Sequence, residues 1–166
     1  MKKETKIEIV KYIIIIVIVL LFRTFFYTLI RVNGASMDHT LKDGEIMILD
    51  RISYRFNDIK RFDIVVVKTD STYIIKRVIG LPGEKLKYVD GKLYINGKLV
   101  KEKYLDQVTE DFDISSEKIP KNCYFVMGDN RANSSDSRVY GCFDKKRILG
   151  KTSLVLLPLN EAGKKE

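Results

Sequence analysis

The sequence predicts a mainly β fold of antiparallel sheets, carried behind one N-terminal transmembrane helix. Three observations predict it. Past residue 31, short β-branched runs alternate with turn residues. Two hairpin signals, Asp90-Gly91 and Asn96-Gly97, sit inside one such stretch. Ahead of these lies an apolar segment far longer than a strand.

That segment is Tyr12–Ile30, YIIIIVIVLLFRTFFYTLI. As a helix it spans about 28 Å, close to the hydrocarbon thickness of a bilayer. Tyr12–Phe22 carries no charge, and Arg23 beyond it can snorkel toward the far headgroups. Phe25, Phe26 and Tyr27 suit an interface. Lys2, Lys3, Lys6 and Lys11 precede the segment, offset by Glu4 and Glu8. The positive-inside rule then places the N-terminus in the cytoplasm and everything after Arg31 outside. A cleaved leader is the rival reading, with Gly34 and Ser36 as small residues at its end. Cutting there would destroy the segment on which the chemistry below rests. The expected division is a cytoplasmic stretch 1–11, an anchor 12–30 and an outer β-rich domain 31–166.

The outer part supplies its strands in order. Glu45–Asp50, Asp63–Lys68 and Thr72–Ile79 are β-branched runs of strand length, the last ended by Gly80-Leu81-Pro82-Gly83. Lys85–Val100 reads as a three-stranded meander turned at Asp90-Gly91 and Asn96-Gly97. Thr109–Pro120 is polar and acidic, hence a surface loop. Cys123–Met127 and Thr152–Leu157 are the remaining strands. Only Asp144–Leu149 carries a faint helical signal after the anchor.

Composition narrows the function. The 166 residues suffice for one domain plus an anchor, and 45% hydrophobic with 31% charged residues is a globular balance. The net charge of +8 invites a nucleic-acid reading. The basic residues are dispersed and no nucleic-acid-binding motif appears, so attraction to an anionic bilayer explains them better. Two cysteines, Cys123 and Cys142, with the single His39 cannot build a zinc site. Their spacing leaves both a pair and two unpaired small hydrophobes open, the latter slightly favoured.

Ser36 is a nucleophile only if a base adjoins it. His39 is three residues away, with no aspartate obviously placed to orient it. Lys76 lies in an apolar strand, Tyr73-Ile74-Ile75-Lys76-Arg77-Val78-Ile79. To act as a base it must be neutral, which means lowering its pKa from about 10.4 toward 7–8, on the order of 4 kcal/mol of environment. Burial against aliphatic side chains supplies that kind of shift.

Four segments in order then carry a resemblance. Gly34-Ala35-Ser36-Met37-Asp38-His39-Thr40-Leu41 resembles the nucleophile box of the bacterial type I signal peptidases. Phe62–Val67 resembles their next strand, and Lys76–Gly83 their lysine box. Gly128-Asp129-Asn130-Arg131 with Asn133–Arg138 resembles the last box. The resemblance implies a membrane-bound serine endopeptidase that removes signal peptides from secretory preproteins after Ala-x-Ala-like sites, without metal or other cofactor. Its partners would be those preproteins and the lipid bilayer, not nucleic acid. It implies Ser36 as nucleophile, Lys76 as general base, and an oxyanion hole using the Ser36 N–H, with Gly34 where some members carry a helping hydroxyl. Ser134 would orient the lysine. Val32, Asn33, Ala35, Met37, Ile74 and Ile75 would line the substrate. Asp136 and Arg138 would pair, and Arg77, Asp129 and Arg131 would support the site. His39 stands where the family usually has proline, loosening the turn, and Glu45 replaces a common aspartate. Residues 84–122 would be a reduced second β-subdomain.

Three rivals follow from the same pattern. A non-catalytic pilus-assembly relative would be expected to have lost Ser36 or Lys76. A self-cleaving repressor would carry a DNA-binding head in place of the anchor. A basic membrane-associated binding module would make the four boxes accidental.

Overall fold

The computed structural model describes residues 3–165; the side chains of residues 3, 4, 6 and 21–25 lie outside the described set. The chain opens with helix α1, Lys3–Phe26, and is otherwise mainly antiparallel β. The larger sheet is a curled eight-stranded layer. Its path runs β1 (Tyr27–Arg31), β2 (Ile46–Asp50), β11 (Ile148–Leu157), β3 (Ile64–Lys68), β4 (Tyr73–Gly80), β9 (Cys123–Met127) and β10 (Phe143–Asp144). The last strand, β12 (Gly163–Lys164), pairs with β11 and brings the Lys165 amine within 3.9 Å of the buried Glu45 carboxylate.

The second sheet is smaller: β7 (Lys98–Val100), β6 (Lys92–Ile95), β5 (Leu86–Val89) and β8 (Phe112–Asp113). Its hairpins turn where expected. Asp90 and Gly91, then Asn96 and Gly97, all take positive φ, as a two-residue type I′ turn requires. Strand β8 falls inside the stretch read as a loop; two residues of pairing to Lys87 and Tyr88 leave no periodic signal to find.

Three apolar clusters hold the layers together. Val65, Val67, Val78 and Val126 pack on one side of the larger sheet. Ile79, Leu86, Tyr88, Leu93 and Phe125 join it to the small sheet. Val32, Met37, Leu41, Met47 and Ile64 form a floor beneath the turn that carries Ser36. Burying such side chains contributes about 1.5–3 kcal/mol each, so that turn rests on a rigid base.

Three expectations need correction. The apolar segment does not remain helical to Ile30: α1 ends at Phe26, and Tyr27–Arg31 pairs with Asp50–Ile46 as β1. Tyr27, Thr28 and Ile30 suit a strand as well as a membrane, and the pairing partner lies some twenty residues away. Among the described residues no helix is long and apolar enough to cross a membrane. The expected snorkelling of Arg23 lies outside the described residues. The cysteines are not two unpaired hydrophobes: Cys123 and Cys142 form a disulfide. The faint helix at Asp144–Leu149 shrinks to a 3₁₀ turn at Lys145–Arg147, after which Ile148 enters β11.

Candidate active site

Ser36 lies in a tight turn just past β1. Asp38 N–H donates to the Ala35 carbonyl and Leu41 N–H to the Met37 carbonyl, at 3.1 and 2.8 Å. Gly34 takes φ +83°, which glycine adopts at no steric cost. Its N–H donates to Asp43 Oδ1 at 2.8 Å. Gly34 therefore shapes the turn, and its amide is already engaged. The Ser36 N–H has no acceptor among the described residues, so it is open to a negative oxygen forming beside the hydroxyl.

Lys76 approaches from β4. Its register is fixed by pairing with Val65 on β3, and the next residue, Arg77, pairs with Met127 on β9. The Lys76 amine donates to Ser36 Oγ at 2.6 Å while the residue is only 3% exposed. Burial lowers its pKa to about 8; Asp136 and Asp129 pull it up and Arg138 pulls it down, but burial prevails. An amine with this pKa is about one-tenth neutral at pH 7, a far larger fraction than an ordinary lysine offers, and it already touches the hydroxyl. A pocket of about 90 Å³ opens beside the pair, lined by Val32, Asn33, Met37, Ile74 and Ile75 among others. Ala35 is exposed next to it. A cavity of about 150 Å³ accepts benzene, so this one takes a small side chain.

The support comes from the segment after β9. Gly128 lies against the Ser36 carbonyl and Ser134, and a Cβ there would collide with both. Asn130 N–H donates to the Ser36 carbonyl at 3.1 Å and its side-chain amide to the Ala35 carbonyl at 3.0 Å. Asp136 is fully buried, accepts from Gly128 N–H at 3.0 Å and pairs with Arg138 through two bonds of 2.9 Å. Burial raises its carboxyl pKa, but Arg138 and the Gly128 amide hold it below the ordinary value. Ser134 Oγ lies close enough to Asp136 to favour its ionised form, yet it is buried and lacks a hydrogen bond of good geometry among the described residues. No group of three metal-ligating side chains occurs among the described residues.

A family model described as signal peptidase, peptidase S26, matches residues 6–157. The chain belongs to the S26 signal peptidase family. Signal peptidase I of Bacillus licheniformis is 42% identical over 98% of this chain and 95% of the relative. Signal peptidase IB of Staphylococcus aureus is 36% identical over 97% and 94%. A crystal structure of a signal peptidase I from Enterococcus faecalis matches with a TM-score of 0.53 at 34% identity, covering 57% of this chain and 97% of that one. With these relatives, the protein is a signal peptidase I-type hydrolase.

In this signal peptidase the expected site residues converge, with different partnerships. Asp136 and Arg138 pair as expected. Asp129 takes Arg77 through bonds of 2.9 and 2.7 Å and also accepts from Thr40 Oγ1 at 2.6 Å. Arg131 turns away to Glu102, Thr109 and Tyr88 on the small-sheet side. Tyr104 stacks its ring 3.8 Å from the Arg77 guanidinium and donates to Glu102 at 2.6 Å. Glu102 and Tyr104 went unnoticed in the sequence, and Thr40 and Asn130, though inside two of the quoted segments, were given no role. Each lies in a polar loop with no periodicity, and a buried cation's need for an anion names no address. Nor is the turn loose at His39. It takes φ +77°, which a proline ring forbids, and its ring meets Gln107 at 2.7 Å.

Proposed function

We propose that the chain is a membrane-anchored endopeptidase that frees exported proteins from their signal peptides through a Ser36–Lys76 dyad. The observation that carries this reading is the 2.6 Å contact between a buried, weakly basic amine and a hydroxyl at the mouth of a small pocket.

Neutral Lys76 takes the Ser36 proton as Oγ attacks the carbonyl carbon of the scissile peptide. The carbonyl oxygen becomes an oxyanion beside the Ser36 N–H. Lys76 then passes the proton to the departing amine, which becomes the new N-terminus of the mature protein. An ester on Ser36 remains. Water, losing a proton to the again neutral Lys76, attacks that ester and releases the signal peptide as an acid. Asp136 with Arg138, and Ser134 beneath Gly128, hold the segment that supports both groups. The small pocket supports a preference for alanine-sized side chains before the cut.

The substrate would lie extended between two open strand edges. β1 ends the larger sheet, and Tyr73–Ile75 of β4 lacks a neighbour on the side away from β3, because β9 pairs only from Arg77 onward. The anchor is α1. Ile13–Leu20 are each 46–59% exposed, so this stretch of the helix presents apolar side chains all round, which suits a lipid environment. The lysines toward its N-terminal end support an N-terminus in the cytoplasm and residues 31–166 outside, with the small sheet as the reduced second subdomain of 84–122. Tethering keeps enzyme and cleavage site in one thin layer.

The test is cleavage of a detergent-solubilised preprotein carrying an Ala-x-Ala site. Ser36→Ala and Lys76→Ala each lower the rate by at least about a thousandfold, with unchanged circular dichroism. Near-normal cleavage by folded Lys76→Ala would overturn the dyad.

A further inference from the structure

Glu45 is buried without a hydrogen-bond donor. It is 1% exposed, and among the described residues neither carboxylate oxygen accepts a hydrogen bond. The cation in ion-pair range is Lys165, just past β12, whose amine stands 3.9 Å from Glu45 Oε1. At that distance charge acts but no hydrogen bond forms. A carboxylate taken out of water depends on such a counter-charge.

The pair sits at the neck of the loop 33–44, which carries Ser36. Val32 N–H donates to the Glu45 carbonyl at 2.8 Å, and Gly44 N–H to the Val32 carbonyl at 2.9 Å. Any shift of Glu45 therefore moves the base of the loop that presents Ser36 Oγ to the Lys76 amine, 2.6 Å away. A second pair holds the same loop from outside. The Lys42 amine donates to Glu161 Oε1 at 2.6 Å, and Glu161 lies 3.6 Å from the Lys165 amine. Lys42 titrates above its ordinary value, held there by Glu161 first and by Glu45 from farther away. Charges thus alternate along Lys42, Glu161, Lys165 and Glu45. The segment bearing Glu161 and Lys165 is itself fixed, since Lys165 N–H donates to the Ser153 carbonyl at 2.7 Å and β12 pairs with Leu154 and Val155. Val155 packs with Met37 in the floor beneath Ser36.

We propose that Lys42, Glu161, Lys165 and Glu45 form a clasp that sets the position of the nucleophile loop, with Glu45 and Lys165 as positioning residues for the attack by Ser36. The inference rests on Ser36 as the nucleophile. The inner partners are not equivalent. The Lys165 side chain is 24% exposed and water can solvate it alone; Glu45 has no such access. Loss of the amine leaves a bare charge at the neck, which the loop must move to hydrate. Loss of both groups leaves no charge to hydrate.

The test measures kcat and KM for an Ala-x-Ala preprotein with the full chain in neutral detergent, well below the melting temperature. Lys165→Met lowers kcat about tenfold with KM unchanged, short of the ~10²-fold that a 1 Å misplacement can cost. Glu45→Met/Lys165→Met recovers to within about twofold of the wild type, because removing both partners of a buried pair is far milder than removing one. Lys165→Arg keeps the wild-type rate. The pH midpoint of kcat stays in place throughout, since burial, Asp136, Asp129 and Arg138 set it and the clasp does not. Glu161→Gln, a surface change that leaves the fold intact, lowers kcat about threefold. That variant decides the matter if Lys165→Met does not fold, and an unchanged kcat in it overturns the clasp. A folded Lys165→Met that keeps the wild-type kcat and only melts earlier also overturns it, as does a double variant no faster than Lys165→Met. A wild type that fails to cleave overturns the parent reading, and the clasp with it.

Discussion

Lys76 carries a conflict between stability and function. In the unfolded chain its amine titrates near 10.4; folded, burial brings it to about 8. Below pH 8 the amine is protonated in both states, and the folded state bears the full penalty of a buried charge, about 3 kcal/mol. Between 8 and 10.4 the folded state binds fewer protons, so this contribution turns from destabilising to neutral as pH rises. Lys76→Met therefore raises stability at pH 7 by about 2 kcal/mol and loses that advantage at pH 10, measured by urea unfolding at the two pH values. Under the proposed dyad, activity follows the neutral amine. The rate should climb about tenfold per unit up to pH 8 and then level, and a flat profile from pH 5 to 9 would contradict the base role. The meeting of Ser36 and Lys76 was legible in the sequence because each sits in a short segment of distinctive neighbours. The pairing of Arg77 with Asp129, and of Arg131 with Glu102, was not. Which buried cation meets which anion depends on strand register and on loops far apart in the chain.

At the scale of elements, the decisive unit is the stretch from β9 to β10. It carries Gly128, Asn130, Ser134, Asp136 and Arg138, and the Cys123–Cys142 disulfide closes it over a separation of 19 residues. Every contact that steadies Ser36 and Lys76 from this side comes from within that loop. Closing a loop of this size stabilises by about 3 kcal/mol in the chain-entropy account. Cys123→Ser/Cys142→Ser is expected to lower the melting temperature by several degrees and to depress cleavage, both readable in one calorimetry and activity series. An unchanged melting temperature would mean that β9–β10 pairing alone closes the loop. The sequence offered both cysteines but not their union, because only the pairing of Phe143 with Tyr124 brings the chain ends together. The hairpins at Asp90-Gly91 and Asn96-Gly97 were plain by contrast, since a turn needing positive φ writes its residues locally.

For the whole molecule, the proposed function makes the apolar helix, the two sheets and the groove between β1 and β4 one path from bilayer to reacting atoms. Helix α1 runs straight into β1, so the substrate edge begins where the helix ends. The antiparallel class was legible from alternating runs and turns, but the boundary at Phe26 was not, because β1 is itself apolar. If α1 lies in lipid, the chain stays in the membrane pellet through an alkaline carbonate wash and is released by detergent. Release by carbonate alone would mean peripheral attachment.

The central claim is that burial holds the pKa of the amine beside Ser36 near 8, so that a useful fraction of it is uncharged near neutral pH. An NMR titration of the ¹⁵N-labelled Lys76 side chain in the full chain in detergent measures this directly. The account predicts a midpoint near 8, displaced further when Ser36 is acylated and water is excluded. A midpoint near 10.4, the value of an ordinary lysine, would contradict it.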